Sequence, residues 1–507
     1  MRGENMNKES DTSSDFVSAE HYDSSYAYKV IGIFAALVLT VMYIEGMLTP
    51  SLGQIETDFL ITPAQASLVL SMYMVGGVAF APIVGKLGDI YGKKKLLVIT
   101  LSIYAVAVSV TGFSPSFLFM IVSRTVQGIG LAIMPLGFSL VREEFPKDLI
   151  PKAQAIISAM FGAGFAISLP LGSLVSNDYG WRWTYHSAIP VIVALVVVAV
   201  FVVKESRFRR PQVKVDYAGA IMLAVSLSLF VLALSEGPTW GWEALSTLGM
   251  LFSGAILLVP LTLYELRYSI RGEAILNFKL LSMRNVLVAN IVLAVAGLGM
   301  FLSQQALTYR FLYGFGKSTL GAGISLVPFA LGTVIFGPIA GIFVSRTGVK
   351  PLAVFGTLLS ALGFLLLATL PDYNGVLMDE FVIGAGFSFL NATLINYIVL
   401  TVRARDMGLA TSMNSTFRFL GSSIGAPIAG SISSIYSTTA TVPSLNGGFE
   451  TITVPTGTAF SLIFMIAAIV FVAMAFLIPL GREVLGRKFS GKGDRIQDRA
   501  GTVTEAD

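Results

Sequence analysis

From residue 29 to residue 480 the chain alternates long apolar runs with short polar connections. Each run holds about 20 residues, enough for a helix to cross roughly 30 Å of hydrocarbon. The predicted spans are 29–51, 63–84, 95–113, 116–139, 151–176, 183–203, 217–235 and 245–264. They continue at 284–308, 319–344, 350–371, 374–400, 407–433 and 457–480, making fourteen. Residues 1–28 are polar and rich in Ser and Asp, without the basic-then-apolar layout of a signal peptide. They are expected to be a disordered cytoplasmic tail, matched by a second tail at 481–507.

The pattern repeats. Pro82, Gly85 and Gly92, in a basic loop after span two, return 256 residues later as Pro338, Gly341 and Gly348. Gly128 and Gly130 of span four return at the same offset as Gly384 and Gly386. Gly164 and Pro170 of span five return at offset 257 as Gly421 and Pro427. Spans one to six therefore pair with spans nine to fourteen. The expected organisation is a six-helix bundle at 29–210, two inserted helices at 211–270 and a second six-helix bundle at 271–480. Two such halves are a transporter architecture, with a substrate site near the midplane between them.

Composition agrees with a bilayer. Of 507 residues, 54% are hydrophobic and 13% charged, against about a quarter charged in soluble domains. With no cysteine, disulfides and thiolate chemistry are excluded. With only two histidines, His21 and His186, no histidine metal cluster is expected. The net charge of +4 matters less than its distribution. With a cytoplasmic amino terminus, inside loops carry Lys86, Lys93 to Lys95, Arg142, Lys204, Arg267, Arg346, Lys350 and Arg403, among others. Outside loops keep only Arg182, Arg310 and Lys317. That asymmetry places both ends in the cytoplasm, in a multi-pass protein of the plasma membrane.

The motifs resemble the major facilitator superfamily, and within it the fourteen-span drug:proton antiporters. Gly85-x-Leu87-x-Asp89-x-x-Gly92-Lys93-Lys94 is similar to the superfamily's loop signature, with Ile90 where a basic residue is usual. Arg124-x-x-Gln127-Gly128-x-Gly130 resembles its span-four motif in full. Gly164, Pro170 and Gly172 resemble the antiporter motif of span five, although Ser168 and Ser173 replace glycines and the proline is displaced by one. The resemblance implies an all-α membrane protein of major facilitator fold, two six-helix bundles plus two extra helices. It also implies that Gly85, Asp89, Gly92, Lys93 and Lys94 form a latch, with Asp89 docking on the other half. The bland reading of Lys93 to Lys95 is a solvated, positively charged loop.

Several polar residues stand out within the apolar runs. Glu45 lies in span one, where an intramembrane charge costs about 2.5–3.5 kcal/mol on insertion scales and marks a functional candidate. It can couple protons to substrate directly, or form a fixed ion pair with Arg124 that locks span one to span four. Arg124 lies at similar depth and needs a partner; the resemblance assigns it to proton movement, with Gln127 beside it. Thr411, Asn414, Arg418, Ser422 and Gly425 share one face of span thirteen, and Arg418 suits an anionic substrate. With Glu45 and Arg418, the substrate-binding candidates are Thr49, Gln127, Gln304, Gln305, Asn391 and Asn414; Asn391 and Asn396 point to different faces. Asp379 and Glu380 are read as solvated near the outer surface. The function expected is proton-driven export of lipophilic, often cationic compounds, with proton-coupled transport of organic anions as the alternative. No enzyme chemistry, cofactor, metal or nucleic-acid partner is expected. The implied partners are a small-molecule substrate, protons and the lipid bilayer, and the protein is expected to be a monomer. A membrane sensor or enzyme would need a nucleotide loop, metal cluster or soluble domain that the sequence does not offer.

Overall fold

In the computed structural model, residues 24–145, 149–206, 209, 215–271, 275, 277–402, 407–443 and 449–483 are described. The apolar runs form helices α1 (Ser24–Gly46), α2 (Leu52–Phe59), α3 (Pro63–Tyr91), α4 (Lys93–Gly112), α5 (Phe117–Gln127) and α6 (Ile133–Glu144). Next come α7 (Ile150–Tyr179), α8 (Trp181–Val202), α9 (Tyr217–Trp240), α10 (Leu245–Arg271), α11 (Phe278–Leu281) and α12 (Arg284–Tyr309). The chain continues through α13 (Thr319–Ser325), α14 (Val327–Thr347), α15 (Val349–Ala368), α16 (Tyr373–Val399), α17 (Met407–Ile435) and α18 (Gly457–Leu477).

Twelve helical runs among the described residues are long and apolar enough to cross a membrane. Helices α7 and α17, of 30 and 29 residues, are comparably long. Large apolar side chains crowd the surface: Phe201 is 82% exposed, Leu245 87% and Phe476 76%. Water would not tolerate such a surface, whereas hydrocarbon does. The tails expected at 1–28 and 481–507 lie outside the described residues, except 24–28 and 481–483. Residues 24–28 correct that reading. They extend α1, because Ala27 is buried and the Tyr26 hydroxyl accepts the Lys204 amide at the end of α8, 2.8 Å away.

Packing follows the sequence repeat. Helix α1 lies on α7 as α12 lies on α17; α3 on α5 as α14 on α16; α4 on α8 as α15 on α18. Two crossings join these groups, α3 with α17 and α7 with α13 and α14. They exchange under the same register. Helix α9 covers the first crossing by touching both α3 and α17, and α10 packs on α9. Close approach needs small residues: a side chain at Gly421 would strike the Ala294 carbonyl, and one at Gly164 the Leu39 carbonyl.

The duplicated basic loops are built alike. Gly92 and Gly348 take φ of 110° and 94°, a region that L side chains rarely adopt. Each turn opens a helix whose first amides meet a carboxylate, which is where the helix dipole favours one. Glu205 accepts from the Lys94 and Lys95 amides at 3.0 and 3.2 Å. Glu483 accepts from the Val349 and Lys350 amides at 2.9 and 3.0 Å. Lys93 is not solvated as read from sequence. It is buried, with its ammonium 3.2 Å from Asp89.

The helical architecture also carries one short strand pair. Strands β1 (Ser437–Pro443) and β2 (Phe449–Pro455) form an antiparallel pair with Thr439 opposite Thr453. Both are rich in β-branched Thr and Val, which suit a pleated surface. Ile452 and Val454 are buried where β2 meets α2, α3 and α17. This end of the molecule is called the hairpin end below, and the opposite one, bearing Gly92 and Gly348, the loop end.

Candidate functional site

The site begins with a guanidinium buried by three helices. Helix α5 ends at Gln127, and the chain tightens into a 3-10 turn over Gly128–Ala132 before α6. Gly128 brings this turn against the main chain of Tyr73 and Gly76 on α3. Arg124 is thereby wholly buried. Its Nε donates to the Val69 carbonyl at 2.9 Å and its Nη1 to Gln127 Oε1 at 3.0 Å. Its guanidinium lies 4.6 Å from the centre of the Tyr73 ring. Gln127 in turn donates to the Ala107 carbonyl and to Thr111 Oγ1. Arg124 Nη2 and the hydroxyls of Tyr73, Tyr104 and Tyr185 are buried without a hydrogen-bond partner. A polar ligand or a migrating proton would meet these groups.

Glu45 sits one residue before α1 ends, at a break in span one. The chain passes through Met47 and Leu48 into a short turn at Thr49–Ser51 before α2 begins. Gly46 lies against Ser168 and Phe165, and Gly172 against Met47, so α7 braces the break. Pro170 lies inside α7 between these contacts. Glu45 is 7% exposed. Among the described residues it accepts no hydrogen bond, and no close ion pair joins it to Arg124. The locked-pair alternative is therefore corrected: Val69, Gln127 and Tyr73 already engage the Arg124 guanidinium. Glu45 instead lies within electrostatic reach of Arg418 on α17 first and of Arg124 second. One carboxylate thus feels cations from both groups of helices.

A second polar cluster closes the hairpin end. Gln304 donates to Thr49 Oγ1 at 2.9 Å, and Gln305 donates to the Pro63 carbonyl at 2.9 Å. Gln305 also donates to the Tyr309 hydroxyl at 3.1 Å, and Tyr309 donates to Glu56. Tyr313, on the π-helical turn Arg310–Gly314, reaches the other Glu56 oxygen at 3.3 Å. Gln54 spans the second crossing, donating to the Ser176 carbonyl at 2.9 Å and to Thr319 Oγ1 at 3.1 Å. Gln304 and Gln305 thus belong to the seal at the hairpin end. Sequence reasoning passed over Glu56 because it falls between apolar runs, where carboxylates are ordinary.

The remaining candidates are dispersed. Asn391 and Asn396 donate to carbonyls of their own helix, Phe387 at 3.2 Å and Ala392 at 2.7 Å. Asn414 reaches Asn290 across the α12–α17 contact at 3.5 Å, while the Thr411 side chain lies outside the described residues. Asp89 pairs within its own group of helices rather than across to the other. Asp379 and Glu380 are corrected outright. They are 7% and 0% exposed, not solvated. Helix α16 begins at Tyr373, which sinks Glu380 about 10 Å below its tip at 1.5 Å per residue. The repeat could have flagged it: the register pairing Gly128 with Gly384 also pairs Arg124 with Glu380.

Comparison with known proteins bears on these features. The Major Facilitator Superfamily family model matches residues 34–309 and 287–500. The chain belongs to the major facilitator superfamily. It is a non-enzymatic, multi-pass membrane transporter of this superfamily, and its relatives include drug exporters. It is 27% identical over 419 residues to multidrug resistance protein 3 of Bacillus subtilis, covering 81% of this chain and 80% of that protein. It is 25% identical over 380 residues to the tetracenomycin C resistance and export protein of Streptomyces glaucescens, covering 74% and 70%. An uncharacterised MFS-type transporter of Mycobacterium tuberculosis is 29% identical over 412 residues; they make up 79% of this chain but 59% of that longer protein. Among solved structures, the partially occluded inward-open xylose transporter XylE of E. coli superposes with a TM-score of 0.61 at 14% identity, covering 91% of this chain and 99% of that one. The nucleoside transporter NupG gives 0.61 at 15%, covering 89% and 100%. At such identity the two structures speak for the fold.

Proposed function

We propose that this chain is a proton-coupled exporter of lipophilic compounds, working by alternating access as a drug:proton antiporter. The observation that carries the reading is Glu45, a buried carboxylate at the break in span one, within electrostatic reach of Arg418 and Arg124. Ionised, the carboxylate offsets part of the surrounding positive charge; protonated, it no longer does. A lipophilic cation and a proton therefore compete for one carboxylate in a greasy wall, which is the requirement for exchange. The names of the multidrug and tetracenomycin relatives support export. Arg418 favours a second reading, in which an organic anion is carried together with the proton.

In this reading α7 and α17 also cross the bilayer, giving fourteen spans in two six-helix bundles with α9 and α10 inserted. The basic loops face the cytoplasm with both termini, the hairpin faces outside, and the protein works as a monomer in the plasma membrane. The closed hairpin end then makes this an inward-facing conformation. Asp89, paired with Lys93 here, docks on the other bundle when the loop end closes.

The test uses inside-out vesicles with an imposed pH gradient and ethidium as the probe. Gradient-driven uptake that disappears in Glu45→Gln supports exchange. Absence of uptake in the unaltered protein overturns it, and gradient-driven uptake of an organic anion selects the second reading.

A further inference from the structure

We propose that Glu380 is a second proton-binding site, which holds its proton while the α13–α14 joint is closed and gives it up as the joint opens. Glu380 is wholly buried, and neither carboxylate oxygen completes a hydrogen bond. An ionised carboxylate withdrawn from water without a partner is far costlier than its neutral acid. In the closed joint the group is therefore the acid.

Among the described residues, the surroundings supply no counter-charge. Helix α13 carries no charged residue, and α14 carries only Arg346, at the loop end. Helix α15 carries only Lys350, whose ammonium donates to the Pro479 carbonyl. Helix α12 offers Arg284 at its loop end and Tyr309, which is bound to Glu56. Arg418 of α17 is coupled to Glu45. Lys317 and Arg310 lie beyond the tip of α16, over the rings of Tyr373 and Phe315. On α16 itself the neighbour is Asp379, another acid.

What Glu380 does face is a main-chain joint. Helix α13 stops at Ser325 and α14 starts at Val327, with Pro328 in its first turn and the Phe329 amide as the group Glu380 addresses. The repeat sharpens the point: positions 69 and 73, which hold Arg124, correspond to Ser325 and Phe329. One bundle sets a cation against a carbonyl, and the other sets an acid against an amide.

The joint is also placed to move. Helix α13 docks across the second crossing, with Gly323 against Ser173 and the Leu169 carbonyl of α7. When the hairpin end opens, α13 leaves α7, water reaches the joint, and the proton passes to that water. Closure reverses the step. The proposal rests on alternating access but not on Glu45 or on any substrate.

Because the chain has no cysteine, a single Ala322→Cys on α13 reports opening to an impermeant maleimide, with Leu60→Cys as the exposed reference. Relative labelling should rise with pH by up to tenfold per unit, the limit for one proton. With Glu380→Gln it should stay low and flat, while Asp379→Asn should keep the pH dependence. A flat profile in Ala322→Cys alone, an unchanged profile with Glu380→Gln, or a profile flattened equally by Asp379→Asn overturns the proposal. Infrared spectroscopy gives an independent readout: Glu380→Gln should remove one carboxylic-acid C=O band, and an unchanged band set overturns the assignment. Neither measurement needs transport, so the exporter reading can fail separately.

Discussion

Tyr309 of α12 donates its phenolic hydrogen to the carboxylate of Glu56 on α2, so one hydrogen bond ties the two groups of helices together at the hairpin end. Bonds of this kind, to a charged or buried acceptor, contribute about 1.5–3 kcal/mol. Tyr309→Phe should therefore raise the open population by roughly tenfold, since 1.4 kcal/mol is a factor of ten. Ser51→Cys, wholly buried and without a hydrogen-bond partner, provides the label for an impermeant maleimide. Labelling that does not change in Tyr309→Phe, or in Tyr313→Phe, removes the clasp.

Arg124→Lys should move the pH profile of ethidium transport while the protein still folds. Lysine keeps the charge but cannot supply the planar fork that serves Val69 and Gln127 at once. An unmoved profile, at normal expression, would leave Arg124 a purely structural cation.

Gly421→Ala should lower thermal stability by about 1–3 kcal/mol, the usual cost of overpacking. The added carbon would strike the Ala294 carbonyl, a main-chain atom that cannot rotate aside. Gly341→Ala is the contrast, because a side chain there meets open space. Equal melting temperatures for the two variants would contradict the packing account.

Glu483→Gln should loosen the start of α15, because an amide caps the Val349 and Lys350 N–H groups more weakly than a carboxylate. The expected loss is about 1 kcal/mol, typical of a helix cap. Faster amide exchange at 349–350 than in the unaltered protein is the measurement, and an unchanged rate counts against the cap.

Sequence periodicity alone disclosed the helical runs and their duplication, because both leave residue-level marks such as Gly92 and Gly348. It also singled out Glu45 and Arg124, since a charge inside an apolar run is conspicuous. It could not join them correctly. Whether Arg124 meets Glu45 or the Val69 carbonyl depends on how α3 and α5 approach, which no single run encodes. Glu56 was hidden for the opposite reason: in a polar stretch a carboxylate carries no surprise, and only the docking of α12 makes it buried. Lys93 was misjudged because charge was equated with solvent.

The placement of α9 gives the two crossings unequal faces. At α3–α17 the inserted helix stands in the way. On α7 and α14, the helices of the other crossing, Ile167, Leu171, Leu331 and Val334 stay exposed. A greasy molecule diffusing in the leaflet would find one flank shuttered and the other bare. In the exporter reading, sideways entry from the leaflet would therefore favour that bare flank, which gives the molecule a front and a back within the plane of the membrane.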